Sequence, residues 1–164
     1  MPAIVRFRLD PAAVRELTAL RARLAGAGLP AATGVPHVTV AAAGTVPRGA
    51  REALVAELRL VALPALWLAT LGSRTGDDDA LVLAAVTDPE VLAVHTAVHD
   101  ALAGRVRGAH AAHLPGSWLP HVVLATGRPA QAFALLHPVP PVRAGILAVE
   151  LHDTRTGATE HLAP

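Results

Sequence analysis

A chain of 164 residues has room for one domain with a good hydrophobic core, or for two small lobes that share one. The absence of cysteine excludes disulfides and thiolate zinc sites, and a formal net charge of +1 argues against binding nucleic acid by charge alone. The start of the chain lacks the apolar segment of a signal peptide, and the longest uncharged stretch, 24–47, is interrupted by glycine and proline. We therefore expect a cytoplasmic protein with no membrane helix.

Hydrophobic periodicity predicts strands interleaved with helices. The predicted strands are Ile4–Leu9, His37–Ala43, Leu66–Leu71, Leu81–Val86, Trp118–Thr126 and Ala144–Asp153, the last opening a closing hairpin around Gly157. The predicted helices run from Pro11 to Gly26 or Gly28, from about Arg51 to Leu63, from Asp88 and Pro89 to about Ala103, and from Pro129 to about His137. A Gly- and Asp-rich connection, 72–79, predicts a hairpin turn whose three acids, 77–79, form a solvated tip without function.

This order of elements is nearly the same in the two halves of the chain. It predicts an α+β fold of two pseudo-symmetric lobes, forming a single domain over residues 1–164. Each lobe is expected to contain an antiparallel-rich sheet with helices on its outside. The inner faces of the two sheets would then surround a central groove.

A pentapeptide occurs nearly twice, as Pro-His-Val-Thr-Val at 36–40 and as Pro-His-Val-Val-Leu at 120–124. Side chains alternate between the faces of a strand, so His37 and Thr39 share one face, and His121 and Val123 share the matching face of the second copy. The other face of each copy is apolar and is expected to lie under helices. The two histidines should therefore face the groove, where one can accept a proton while the other donates one.

The motif His-x-Thr/Ser-x at His37, with a second copy at His121 that has Val in the third position, resembles the 2H phosphoesterase superfamily, and within it the 2'-5' RNA ligase-like branch. The approach to the second motif, Leu114–His121, and the strand-to-helix joint at Leu9–Pro11 are similar to that branch as well. The resemblance extends from about Ile4 to about Leu162. The sequence departs from the family at Val123, where a Thr or Ser is expected.

The resemblance implies metal-independent hydrolysis of a 2',3'-cyclic phosphate, on an RNA terminus or a small cyclic nucleotide, without a cofactor. One neutral histidine of the pair His37 and His121 would take a proton from water, and the other would protonate the leaving ribose oxygen; which does which stays open. Thr39 would bind the phosphate oxygens, whereas Val123 has lost that hydroxyl. Because a hydrogen bond to a charged group is worth about 1.5–3 kcal/mol, we expect activity reduced by about ten- to a few hundred-fold.

The alternative function is a catalytically degenerate module that binds a nucleotide or an RNA end without turnover, and Val123 is the residue that favours it. We expect no membrane association, no stable protein partner and, by default, a monomer. Thr126 or Ser117 would replace the lost hydroxyl if their loops turn inward.

Alternation in the first strand places Arg6 and Arg8 opposite its apolar side chains, either in the groove, where a guanidinium can bind phosphate, or on an exposed edge. Trp118 is interpreted either as a platform for base stacking or as packing between the lobes. Trp67 is expected in the core. His95 and His99 share one helix face but lack a third ligand, so a metal site is not predicted there.

Overall fold

The computed structural model describes residues 2–74 and 79–163, which form seven strands and four α-helices. The strands are β1 (Ala3–Leu9), β2 (His37–Ala43), β3 (Ala65–Arg74), β4 (Ala80–Ala85), β5 (His121–Ala125), β6 (Val142–Asp153) and β7 (Thr159–Ala163). The helices are α1 (Pro11–Gly26), α2 (Arg48–Leu58), α3 (Pro89–Leu102) and α4 (Pro129–Leu136), with a short 3-10 turn at Ala111–His113. No helix within these ranges has both the length and the hydropathy needed to cross a membrane.

The long strand β6 joins two antiparallel sheets. Residues 142–145 of β6 pair with β3, whereas residues 146–153 pair with β1, and β7 adds to the same far half. The strand order is β2-β1-β6-β3-β4-β5, so each motif strand lies at one end of this path. The first lobe therefore contains β1, β2 and β7, the second contains β3, β4 and β5, and the predicted two-lobed α+β fold is confirmed.

The helices cover the outer face of each sheet. Helices α2 and α3 pack against each other and against the first lobe, while α1 and α4 pack against the second. Asp10 and Asp88 start α1 and α3 by accepting backbone N–H groups of the first turn, and a proline follows each of them. Under these helices lie the apolar faces of the motif strands, where Val38, Val40, Val122 and Leu124 are fully buried, as predicted.

Several boundaries differ from the sequence-based prediction, most clearly in α2. This helix begins at Arg48 because Pro47 has the extended N-cap conformation and its carbonyl accepts the first helical N–H groups. The helix ends at Leu58. Beyond it, the N–H groups of Leu60 and Val61 donate to carbonyls only three residues earlier, and these bonds close the last turn. Strand β3 is longer than predicted and β5 is shorter, which leaves Trp118 in the loop before β5. The acidic tip at 77–78 lies outside the described residues.

The expectation that Trp67 belongs to the core is wrong. Its neighbours Leu66 and Leu68 are fully buried, whereas Trp67 is 47% exposed. The apolar run around it is an alternating strand, so only every second side chain reaches the helices. Trp67 lies on the opposite face, which we call the groove face because it carries the two motif histidines.

Each motif strand has its outer edge covered by the segment that precedes the other motif. Beside β5, Ala31 bridges Ala125, and the N–H of Ala32 donates to Leu124 O at 2.8 Å. Beside β2, the N–H of His110 donates to Ala42 O at 2.9 Å, and the indole N–H of Trp118 donates to Thr39 O at 2.9 Å. The two edges are thereby closed without a further strand, which removes sites for unwanted pairing.

The buried guanidinium of Arg21 on α1 joins the two motif segments. Its Nε and Nη2 donate to Val123 O at 3.1 and 2.7 Å, and its Nη1 donates to Gly34 O at 2.8 Å. Burial lowers the pKa of Arg21, although the group stays charged. This one side chain therefore fixes β5 relative to the loop that leads into β2.

Trp118 packs between the lobes. Its indole stacks on His95 of α3 with ring centroids 4.1 Å apart and meets Phe7 of β1 edge-on at 6.4 Å. His95 Nε2 in turn lies 2.8 Å from His113 O, so this nitrogen carries a proton and donates it. These contacts correspond to the packing interpretation of Trp118, because one face of its ring is already covered.

Replacing Arg21 with lysine is expected to destabilise the fold. One ammonium group cannot reproduce three donors directed at two separate carbonyls, and the loss of one such bond costs about 1.5–3 kcal/mol. Thermal unfolding of Arg21→Lys should show a Tm lower by about 3–12 °C. The matched control is Arg23→Lys, two residues along the same helix, where the guanidinium is exposed and makes one bond of 3.2 Å. Equal Tm values for the two variants would contradict the bridging role.

Stability is expected to fall in mild acid because of His95. Burial lowers the pKa of His95 below its ordinary value near 6.5, the nearby ring of His99 acts in the same direction, and the bond to His113 opposes them. The unfolded chain therefore binds more protons than the folded one below pH 6.5, so stability present above that pH is lost as the pH falls. Urea unfolding of His95→Phe should depend less steeply on pH between 5 and 7 than wild type; an unchanged slope would contradict this.

Candidate active site

The two motif histidines are held in the same way. His37 Nδ1 lies 2.9 Å from Val35 O, and His121 Nδ1 lies 2.6 Å from Leu119 O, the carbonyl two residues earlier in each case. A carbonyl only accepts, so Nδ1 carries the proton in both rings. Nε2 is then the nitrogen of each ring that can accept or donate a proton during a reaction.

The motif strands also match in burial and approach each other. Both begin with the same alternation, in which the histidine and the residue two positions later are partly exposed and the residues between them are buried. Cα atoms of β2 and β5 come within 8 Å of one another. Arg21 and the Trp118 indole, bonded as described above, hold the strands in this arrangement.

A cavity of about 290 Å³ lies beside His37 on the groove face of the first lobe. The register of β1 against β2 places Arg8 opposite His37 and Arg6 opposite Thr39, so these four side chains share one face. Both arginines line the cavity together with His37. Arg6 and Arg8 thus lie on the same face of the sheet as His37 and beside the same cavity.

Glu150 of β6 lies in this cavity between the cations. Its Oε2 is 3.1 Å from Arg6 Nε, and its Oε1 is 3.8 Å from Arg8 Nη1 and 3.7 Å from His161 Nε2. The side chain of Glu150 is only 5% exposed, whereas that of Arg8 is 46% exposed. Arg6 is therefore held by the carboxylate, and Arg8 is the guanidinium with more open surface toward a ligand.

The surroundings of His37 favour its neutral form. Burial is the main cause that lowers its pKa below the ordinary value near 6.5, and the charges of Arg6 and Arg21 and the ring of His152 add to it, while the bond to Val35 opposes them. A neutral imidazole with its proton on Nδ1 has Nε2 ready to accept a proton.

The groove face of the second lobe is apolar around His121. The register of β4 against β5 places Ala84 opposite His121 and Val82 opposite Val123. The hydroxyls considered as replacements for the one lost at Val123 are engaged elsewhere: Ser117 Oγ donates to Ala111 O at 2.6 Å, and Thr126 Oγ1 donates to Pro30 O at 3.3 Å. Neither loop turns inward to supply the missing donor.

Sequence reasoning missed Glu150, His161 and Arg21 as parts of this region. An acid inside the otherwise apolar stretch Ile146–Leu151 was a usable signal for Glu150, because a buried carboxylate requires cationic partners. His161 lies opposite Glu150 in the β6–β7 hairpin, and nothing local marked Arg21, whose partner Val123 comes from a distant part of the chain. The rings of His95 and His99 lie 4.4 Å apart, and no group of three or more side chains suited to a metal occurs among residues 2–74 and 79–163.

The sequence matches no protein-family model, and no curated protein is significantly similar to it. Solved structures do match. LigT of E. coli in its apo form is 16% identical, with a TM-score of 0.62 over 98% of this chain and 92% of that chain. LigT complexed with 3'-AMP is 14% identical, with a TM-score of 0.61 over the same shares of the two chains. The PDE domain of MHV ns2 is 16% identical, with a TM-score of 0.57 over 77% of this chain and 78% of that chain.

At these identities the likeness concerns the fold, and it covers both lobes and both motif strands. The fold expected from the resemblance is therefore confirmed. The chain has the fold of the 2H phosphoesterases, in the form found in LigT.

Proposed function

We propose that this protein is a metal-independent phosphoesterase that hydrolyses a 2',3'-cyclic phosphate, with His37 and His121 as its acid and base. The observation that carries the proposal is the identical anchoring of the two rings, each with Nδ1–H donated to the carbonyl two residues earlier. The shared fold with a phosphodiesterase domain and with LigT supports the same reaction class. We also propose that residues 1–164 form one domain, because a continuous hydrophobic core joins the two lobes.

The reaction needs two proton transfers and no metal. Water attacks phosphorus, its proton passes to Nε2 of the neutral histidine, and a new P–O bond forms. The bond from phosphorus to one ribose oxygen breaks, and that oxygen takes the proton from Nε2 of the protonated histidine. The ring becomes a phosphate monoester, and the two histidines exchange protonation states before the next cycle.

We assign the base to His37 and the acid to His121. Burial first, and then the charges of Arg6 and Arg21, lower the pKa of His37 and so favour the neutral form required of a base. Thr39 is two residues further on the same face, and Arg8 is opposite His37 in register, which supports a role for both in binding the non-bridging phosphate oxygens. Val123 is the corresponding residue of the second motif and has no donor to offer.

A second function is favoured by one specific observation. The residues facing Val123 and His121 across the strand pair are Val82 and Ala84, and the nearby hydroxyls are engaged, so phosphate binding by the second lobe is weak. A degenerate module that binds an RNA or nucleotide end without turnover would tolerate this loss. The experiment below separates the two functions.

Hydrolysis of 2',3'-cyclic nucleotides and of a short RNA ending in a cyclic phosphate should proceed in EDTA. His37→Ala and His121→Ala should each lower kcat by about 10²–10⁴-fold, because each removes one proton transfer. Val123→Thr should raise kcat by about ten- to a few hundred-fold if the added hydroxyl reaches the phosphate. Release of the monophosphate is the measurement.

The matched control is Val55→Thr, the same change on helix α2, which should leave kcat at the wild-type value. Thermal unfolding of the histidine variants checks that they are folded. No turnover by wild type or by Val123→Thr, together with retained binding of the product, would contradict the hydrolase and favour the binding module.

The pH dependence of kcat/KM should report the neutral form of His37. Activity falls as the pH drops through the pKa of the base, and because that pKa is lowered, the acid limb should lie below pH 6.5. Arg6→Gln removes one charge that lowers this pKa, so the limb should move to higher pH. Arg48→Gln, at an exposed arginine of α2, should leave it in place. A limb unmoved by Arg6→Gln would contradict the assignment of the base.

A further inference from the structure

A row of exposed apolar side chains crosses the second lobe beside His121. Trp67 lies on β3, Val86 directly follows β4, and Leu119 comes two residues before His121; they are 47%, 52% and 47% exposed. The N–H of Val86 donates to Trp67 O at 2.9 Å, and the N–H of Ala85 donates to Pro120 O at 2.8 Å. The backbone segments that carry these three residues, which we call the Trp67 row, are therefore adjacent.

Two members of the Trp67 row, Trp67 and Val86, lie on the groove face. Ala84 is opposite His121 in register, and Val86, two residues further along the same strand direction, shares the face of Ala84. Trp67 is opposite Val86, and its own neighbours on β3 are buried on the other face. The spacing of strands and residues puts the Cα atoms of Trp67 and His121 about 12 Å apart.

A positively charged side chain, that of Arg143, lies next to Trp67 at one end of the Trp67 row. Arg143 of β6 is opposite Trp67 in register, is exposed, and makes no ion pair with any residue in the described ranges. An accessible aromatic face beside an arginine is the combination by which proteins bind single-stranded nucleic acid, the ring stacking on a base and the cation meeting the backbone. Because the net charge of the chain is only +1, electrostatic attraction of RNA depends on local cations such as Arg143.

We propose that the Trp67 row binds an unpaired base near the 3' end of an RNA strand, with Trp67 stacked on that base and Arg143 beside a backbone phosphate. The inference rests on the proposed function, because the histidines fix the terminal phosphate from which the strand extends toward Trp67. It makes the substrate an RNA end rather than a free cyclic mononucleotide. A second copy of the chain is a poorer occupant, since three half-exposed side chains fall well short of the roughly 800 Å² per partner of a stable interface.

The test measures binding separately from turnover. The probe is a five-residue oligoribonucleotide that already has a 3'-phosphate, with its Kd measured by fluorescence anisotropy. Trp67→Ala should weaken binding by about five- to 150-fold, as expected for one stacked base, and Trp67→Phe should retain part of the affinity. The control is Leu92→Ala, which removes an equally exposed apolar side chain from helix α3 and should leave Kd unchanged.

Arg143→Gln gives an independent readout. Loss of one phosphate contact should reduce the slope of log Kd against log salt by about 0.7 for a single strand. With hydrolysis as readout, Trp67→Ala should lower kcat/KM for the cyclic-phosphate oligonucleotide while leaving the value for a cyclic mononucleotide near wild type.

Equal Kd values for Trp67→Ala and Leu92→Ala would overturn the inference. So would a wild-type dimer that Trp67→Ala converts to a monomer, since the row would then be an interface between copies. The absence of turnover on every cyclic phosphate, with Trp67-dependent RNA binding retained, would instead overturn the proposed hydrolysis and support this site. The two failures are therefore distinguishable.

Discussion

The site depends on the closure of each motif strand by the segment that precedes the other motif. A strand at the end of a sheet exposes unpaired N–H and C=O groups, and here those of β5 meet Ala31 and Ala32, while those of β2 meet His110 and the Trp118 indole. Arg21 completes the connection by holding carbonyls of both motif segments. A buried guanidinium that binds only carbonyls has a desolvation cost, which its three directed bonds offset. Because the covers are reciprocal, neither histidine strand can shift without disturbing the loop that positions the other.

The first lobe concentrates the charges that a phosphate requires. Glu150 is almost fully buried, and a carboxylate in that position is stable only with cationic partners, which Arg6 and Arg8 supply, while the His161 ring lies 3.7 Å away. The Glu150 carboxylate orients Arg6. Its negative charge also partly neutralises the guanidinium groups of Arg6 and Arg8 near His37. Arg8 keeps its longer, 3.8 Å contact and half its surface, so a ligand phosphate can compete for it. Burial, together with the charges of Arg6 and Arg21, lowers the pKa of His37 and favours its neutral form beside these cations.

Much of this arrangement could be predicted from the sequence because it follows local rules. Strand alternation placed His37, Thr39, His121 and Val123 on one face, and the capping residues Asp10 and Asp88 marked two helix starts correctly. Trp67 was misplaced because an uninterrupted apolar run does not reveal which of its two faces is buried. Glu150 and Arg21 were missed for another reason: their partners Arg6 and Val123 are 144 and 102 residues away, and such contacts arise only once β6 and α1 are packed.

The two halves of the groove are alike in backbone and different in chemistry. In the first lobe, Arg6 and Arg8 face the motif strand; in the second, Val82 and Ala84 occupy the equivalent positions. Val123 thus has the buried, apolar Val82 and Ala84 as its neighbours on β4, with exposed Val86 and Trp67 further along the same face, and the missing hydroxyl fits the apolar character of that half. In the proposed mechanism the first lobe holds the charged phosphate, while the second receives the uncharged part of the substrate and His121 protonates the leaving oxygen between them. A hydroxyl at position 123 would add a phosphate-binding group to the lobe that, in the proposed mechanism, contacts the nucleobase. The valine at this position is therefore consistent with lobes that bind different parts of the substrate.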